Sequence, residues 1–498
     1  MPASPNLLSM PAPRRGALDE LFAAEARNPA DLEAALALAS GLIRAGQPAA
    51  ARDRFLKVLH GEPAHVAAHY GLGVTLTLLR DFEGARREFE QAASLDPTHA
   101  PSLGALAFAL YRDGNQERAR ELAERAVARM PNLPDATTVL ARLAAARRDY
   151  SALEQRARAL LARPDVGGET HASAWLLLAD ALDGEGDHAR AFEAYRTGKA
   201  EFRRLHAPHF AGAVTALEAC ERALSRFAAS PALAPRPAPE PESGAPRRHV
   251  FLMGFARSGT TLLEQVLGAH PEVVDLEEMP TLDELQHLYL ESEDGLDRLA
   301  ALDDQAWATL RADYWARVRG FGAEPAGKVF IDKQPLAAVL WPALAAAFPE
   351  AKVLFALRDP RDVVLSCFRR GFKINPATFE FTDLERTARL YDASMRMASL
   401  ARERGLLETH EVRYERLVED FEGEIRSACA FLGLDWRDEM LGFAERARAR
   451  RIKTPSADQV ARGLYAGAAG SWRPYREALA PVLPILAPWV ERFGYPPD

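Results

Sequence analysis

Cysteine is scarce: the 498 residues hold three, Cys220, Cys367 and Cys429. They are far apart and odd in number, which fits a reducing compartment better than a disulfide framework and offers no zinc-ligand spacing. No metal is expected. Long apolar runs are lacking too. The most apolar stretch, Ala337 to Phe348, is too short to cross a bilayer and is interrupted by Pro342, and the stretch from Met1 to Arg15 holds prolines and two arginines instead of an apolar core. A cytoplasmic protein without a membrane span is the expectation. Charge of one sign is missing as well. Lys and Arg number 62 against 70 Asp and Glu, a net of −8 spread along the chain, which argues against a general nucleic-acid binder and leaves room for a local basic pocket.

What is present is periodic. Prolines at positions 29, 63, 97 and 131 recur every 34 residues, and Pro164 follows after 33. Ala51, Ala85 and Ala119 keep the same period, Phe55 and Phe89 repeat in register, and Leu72-Gly73 belongs to the best-formed repeat. Such a period belongs to a two-helix solenoid unit. On these residues the segment resembles the tetratricopeptide family, with three clear repeats, a weaker fourth and a fifth around Trp175 to Tyr195. The prediction is an all-α solenoid of helix pairs over residues 29–228, whose concave face would take a peptide or protein acceptor or a scaffold partner. A Pro-rich linker at 229–247 would then lead to a second domain at 248–498.

In that second domain apolar runs (Val250 to Met253, Val329 to Ile331, Val353 to Leu357, His410 to Val412) alternate with helical stretches, which predicts an α/β fold with a parallel sheet. The first run enters a Gly-x-x-x-x-Gly loop, Gly254 to Gly259, followed by Thr260 and Thr261 where a nucleotide-hydrolysing P-loop would carry lysine and then a hydroxyl residue. The loop is therefore P-loop-like. Without its lysine it can cradle an anion on backbone N–H groups and a helix start, but it is badly placed to transfer a γ-phosphate. Ligands of such sheets collect beyond the carboxyl ends of the strands. There the chain offers Arg257, Ser258, Gly259, Thr260 and Thr261 after the first run, Asp332-Lys333-Gln334 after the second, and Arg358-Asp-Pro-Arg-Asp362 with Ser366 and Arg370 after the third.

With these two separated motifs in this order, residues 248–495 resemble the sulfotransferases that use 3′-phosphoadenosine 5′-phosphosulfate. The glutamates of Ala269-His270-Pro271…Glu277-Glu278 narrow the resemblance to the tyrosylprotein branch. It implies that Arg257 to Thr261 hold the 5′-phosphosulfate and that Arg358, Ser366 and Arg370 hold the 3′-phosphate. Tyr414 and Ser456 would add contacts to the nucleotide, Lys333 would neutralise the leaving phosphate, and Glu278 would deprotonate the acceptor. Arg257 would join Lys333 in stabilising the transferred group, and no metal is implied. One position departs from the family pattern: Ser471 precedes Trp472 where a Lys or Arg is usual, with Arg473 following. The readings to weigh against sulfuryl transfer to a protein tyrosine are a phosphotransferase on the same loop, and an adaptor whose solenoid does the work beside a decayed α/β domain.

Overall fold

The computed structural model describes residues 17–28, 30–131, 133–162, 168–229, 244–290, 294–450, 460, 463–464 and 466–497. The chain divides into two compact units, Met1–Asp187 and His188–Asp498.

The first unit is helical throughout its described residues, from Ala17–Arg27 through Leu32–Arg44, Pro48–Gly61, Val66–Leu78, Phe82–Leu95, Ala100–Arg112, Gln116–Arg129, Pro134–Ala146 and Tyr150–Leu161 to Gly168–Gly184. Local chemistry sets the ends. Pro63, Pro97 and Pro131 stand in the turns between one pair and the next, where a missing N–H does no harm; Pro29 and Pro164 lie outside the described residues. Asp81, Asn115 and Asp149 cap the helices that follow them by accepting from Gly84, Arg118 and Ala152 N–H. The 34-residue spacing has a packing cause. A Cβ on Gly71 would fall 2.3 Å from the Phe55 ring and one on Gly73 2.5 Å from the Phe89 ring, so each glycine admits the aromatic of a neighbouring helix. Ala51, Ala85 and Ala119 are buried in the same core.

The second unit is built on five parallel strands: β1 Arg248–Gly254, β2 Val273–Leu276, β3 Val329–Lys333, β4 Lys352–Leu357 and β5 Glu408–Arg413, in the order β2-β3-β1-β4-β5. β1, β3 and β4 are buried almost throughout, which explains their near-continuous apolar sequences. The chain first moves outward from β1 to β2 and β3, then continues on the other side of β1 with β4, so the crevice opens at the end of β1. Register brings Leu252 opposite Lys333 and Gly254 opposite Ala356, which levels the carboxyl ends of β1, β3 and β4. β2, four residues long and broken by Asp275, is too short to show as an apolar run in the sequence.

The unit boundary also differs from the expected one. Helices His188–His206 and Ala216–Ala229, expected at the end of the solenoid, belong to the second unit. Lys199 Nζ donates to the Arg370 carbonyl at 2.6 Å, Arg222 to the Leu290 carbonyl at 2.7 Å, and Arg404 to the Phe227 carbonyl at 2.8 Å. The aromatic ring of Phe192 lies 5.7 Å from that of Phe368. Helical periodicity says that a helix forms; these polar and aromatic contacts decide what it packs on. Most of the expected linker, residues 230–243, lies outside the described residues.

Candidate active site

The loop after β1 is shaped by close approach and by left-handed backbone. A Cβ on Gly254 would meet the Ala356 carbonyl oxygen at 2.6 Å, so β1 and β4 can come together there only with glycine. Arg257 has φ 73° and Gly259 φ 101°; for arginine that conformation costs on the order of 1 kcal/mol, a strain typical of functional loops. Gly259 caps the helix Thr260–Leu267 with no side-chain hydrogen bond, and Ser258, Thr260 and Thr261 are buried at its start. The first-turn N–H groups of a helix have no partner inside it and sit at its positive end, a geometry that takes anions.

Cations crowd against this loop. Arg257 Nε donates to Ser366 Oγ at 3.1 Å. Arg358, at the end of β4, donates to the Arg257 carbonyl at 3.2 Å and lies over the Tyr414 ring at 5.1 Å. Arg358 Nε is buried with no hydrogen-bond partner. Burial, followed by the charges of Arg370 and Arg358, pushes the Arg257 guanidinium down to about 9. An anion placed among these groups would relieve both costs. Tyr414 also flanks the loop, its ring 3.0 Å from where a Gly259 Cβ would stand.

Arg361 faces elsewhere, whereas Asp362 lies 3.7 Å from the Arg358 guanidinium. Arg361 forks onto Asp359 at 2.7 and 2.9 Å, donates to the Pro496 and Pro497 carbonyls at 2.8 Å, and stacks over Trp472 at 3.9 Å. Asp362 accepts from Gly470 N–H, Trp472 N–H and Ser471 Oγ at 2.7, 2.8 and 2.9 Å. Ser471, the position that departs from the family pattern, thus fixes the turn before Trp472.

At the end of β3, Lys333 Nζ lies 2.7 Å from Glu264 Oε2, both side chains fully buried, and 3.6 Å from Glu278 Oε1, whose side chain is 43% exposed. Burial pushes the Glu264 carboxyl up to about 7. On Lys333 burial opposes the charge, but Glu264 and Glu278 outweigh it and hold the ammonium above its ordinary value. Asp332 is a hub: its carboxylate accepts from Thr281 Oγ1 at 2.7 Å, Tyr314 OH at 2.9 Å and Gln334 Nε2 at 3.0 Å, while Gln334 also donates to the Met279 carbonyl at 2.7 Å. These bonds pin the segment 279–281, immediately after Glu278. No group of three or more His, Cys, Asp or Glu among the described residues could hold a metal ion.

Residues 249–438 match the sulfotransferase family model, and residues 36–100 and 76–143 match tetratricopeptide-repeat models. The chain is thus similar to tetratricopeptide-repeat proteins in its first part and to the sulfotransferase family in its second. It is 27% identical over 411 residues to an uncharacterized protein of Aquifex aeolicus, covering 78% of this chain and 50% of that one. It is 29% identical over 202 residues to protein-tyrosine sulfotransferase of Drosophila melanogaster (39% of this chain, 40% of that one) and 27% over 260 residues to protein-tyrosine sulfotransferase A of Caenorhabditis elegans (50% and 67%). The chain thus spans half or less of the first two relatives. Among solved structures, the sulfotransferase domain of the curacin biosynthetic pathway aligns over 51% of this chain and 99% of its own at 18% identity and TM-score 0.36.

In the region that matches the sulfotransferase model, Arg257, Gly259, Arg358, Ser366 and Tyr414 meet in one cluster, and Lys333 with Glu278 forms a second group at the end of β3. Arg370 is exposed at the end of the helix Pro360–Arg369, one turn past Ser366. Ser456 lies outside the described residues. Three residues escaped the sequence analysis: Glu264, Asp332 as the anchor of the loop after Glu278, and Lys199. A carboxylate inside the apolar face Leu262, Leu263, Val266 and Leu267 was the available signal for Glu264. Lys199 had none, because nothing local shows which domain its helix joins.

Proposed function

We propose that this protein moves the sulfuryl group of 3′-phosphoadenosine 5′-phosphosulfate to a hydroxyl acceptor, foremost the phenol of a protein tyrosine. The observation that carries this is the convergence, at the carboxyl edge of β1, β3 and β4, of a lysine-free phosphate loop, the Arg257–Ser366–Arg358 cluster and the Lys333–Glu278 pair. The fit to a doubly anionic nucleotide rests on two features: the buried, unpartnered Nε of Arg358 and the left-handed turn at Arg257 and Gly259 that opens the helix Thr260–Leu267.

When bound, the donor supplies an activated sulfur with a phosphate leaving group. The loop N–H groups with Ser258, Thr260 and Thr261 hold its 5′ end; Arg358, Ser366 and Arg370 hold the 3′-phosphate, with Tyr414 beside the nucleotide. Glu278 takes the phenolic proton as the new O–S bond forms. As the S–O bond to the phosphate breaks, Lys333 and Arg257 meet the charge left on the bridging oxygen. Positioning and charge stabilisation carry the rate, with no covalent intermediate required of the protein. The solenoid supplies a surface for a protein acceptor or scaffold partner, and the three free, buried cysteines agree with a cytoplasmic setting.

The test is Glu278→Gln. Glutamine keeps the size but accepts no proton, so transfer from the donor to a tyrosine peptide should fall by about 10²–10⁴-fold in kcat while the nucleotide Kd holds. Turnover within a few-fold of wild type removes Glu278 from the mechanism.

A further inference from the structure

Lys333 has two carboxylates within reach, and they differ in kind. Glu264 stands on the helix that opens from the phosphate loop, one turn past Thr260, with its side chain wholly buried; Glu278 stands on the loop after β2, half exposed. A lysine ammonium is a compact charge on a flexible four-carbon stem, so its position is set by whichever acceptor holds it best. Glu264 holds it at 2.7 Å against 3.6 Å for Glu278.

The remaining contacts of Glu264 are few. Gln265 Nε2 approaches the same oxygen, Oε2, at 3.3 Å, and Oε1 is buried with no hydrogen-bond partner. A buried carboxylate left half-satisfied is costly, and fold stability alone gives little reason to keep one, since an apolar pair of similar volume commonly serves as well. Something other than packing accounts for it.

We propose that Glu264 is the positioning residue for Lys333: it anchors the ammonium beneath the phosphate loop and keeps it off Glu278, leaving that carboxylate free to accept the acceptor's proton. Without Glu264, the nearest carboxylate to Lys333 is Glu278. The ammonium then moves onto it, so the cation leaves the donor side and the base is occupied at once. One buried carboxylate thereby keeps two groups of opposite charge apart in function while they stay within 3.6 Å of each other. The effect on turnover rests on the sulfuryl-transfer reading above; the hold on Lys333 does not.

The test uses the full chain in four forms: wild type, Glu264→Gln, Lys333→Met and the double variant, with Glu264→Asp as the conservative control. In a crystal structure of Glu264→Gln, Lys333 Nζ should lie within hydrogen-bond distance of Glu278, about 3 Å or less. An ammonium still at its wild-type position overturns the inference, whatever reaction the protein performs. In sulfuryl transfer from 3′-phosphoadenosine 5′-phosphosulfate to a tyrosine peptide, Glu264→Gln should lose tenfold or more in kcat, with the Kd for adenosine 3′,5′-bisphosphate changed less than about threefold. Glu264→Asp should recover part of the loss. In the Lys333→Met background, Glu264→Gln should add less than about twofold, because a residue acting through lysine has nothing left to act on. Fully additive losses, or an unchanged kcat, overturn it. A wild-type protein that transfers nothing to the peptide defeats the functional reading and leaves the crystal structure to decide the role of Glu264.

Discussion

Arg358 and Arg361 stand three residues apart in one Arg-Asp-Pro-Arg-Asp run, and burial hides both, yet their partners differ entirely. Arg361 spends its guanidinium on Asp359 and on the tail carbonyls of Pro496 and Pro497, whereas Arg358 keeps a buried Nε without a partner. Calorimetry with adenosine 3′,5′-bisphosphate should therefore separate them. Arg358→Ala should weaken binding by ~1.5–3 kcal/mol, the worth of a charge-assisted hydrogen bond. Arg361→Ala should leave affinity alone and lower stability by about 3–5 kcal/mol, since Asp359 stays behind buried and unpaired. The sequence marks the run as basic and well placed but cannot say which arginine faces the ligand, because the answer lies in a tail more than 130 residues away. Lys199 carries a different signature. It is 3% exposed, and burial depresses its pKa to about 7, with the Cys367 thiol pulling weakly the other way. The unfolded chain has the ordinary lysine value near 10.4. Between those two values the unfolded state binds a proton that the folded state does not, so this residue makes stability rise with pH from about 7 to about 10, by up to about 1.4 kcal/mol per pH unit, and contributes no slope below. Lys199→Met should be more stable than wild type at pH 7, with the gap closing toward pH 10 in chemical denaturation. Parallel profiles would contradict it.

At the scale of elements, the solenoid is legible in the sequence because its packing is local and repeated: a glycine such as Gly73 and the ring it admits, Phe89, lie half a repeat apart and recur. β1, β3 and β4 are legible because strands buried on both faces leave continuous apolar runs. β2 is not, being four residues with an acid inside, and the helices His188–His206 and Ala216–Ala229 were assigned to the wrong neighbour because their periodicity matches the repeats before them. This correction makes a prediction about fragments. Residues 188–498 should be soluble and should bind adenosine 3′,5′-bisphosphate within about threefold of the full chain, since that boundary follows the compact unit. A fragment starting at 230 removes the partners of the Arg370 and Leu290 carbonyls and uncovers the surface under Cys220 and Phe227. It should aggregate or melt well below the longer fragment in size exclusion and thermal scans. A monodisperse short fragment with full affinity would restore the Pro-rich segment as the true boundary.

Taken whole, the chain is acidic, at −8, and still concentrates Arg257, Arg358, Arg370 and Lys199 at one end of its sheet. The loop sequence and the order of the two basic motifs were enough to point there. What they could not supply were the groups buried around them: Glu264, whose partner lies 69 residues on, and the Asp332 hub that fixes the loop after Glu278. The nature of the bound anion is what the functional reading turns on, and thermal unfolding reads it without any acceptor. With EDTA present, adenosine 3′,5′-bisphosphate at about a hundred times its Kd should stabilise the native state by about 2.7 kcal/mol and raise Tm accordingly; AMP, which lacks the 3′-phosphate, should do much less. A shift that appears only with ATP and Mg²⁺ would contradict the sulfotransferase reading in favour of phosphoryl transfer.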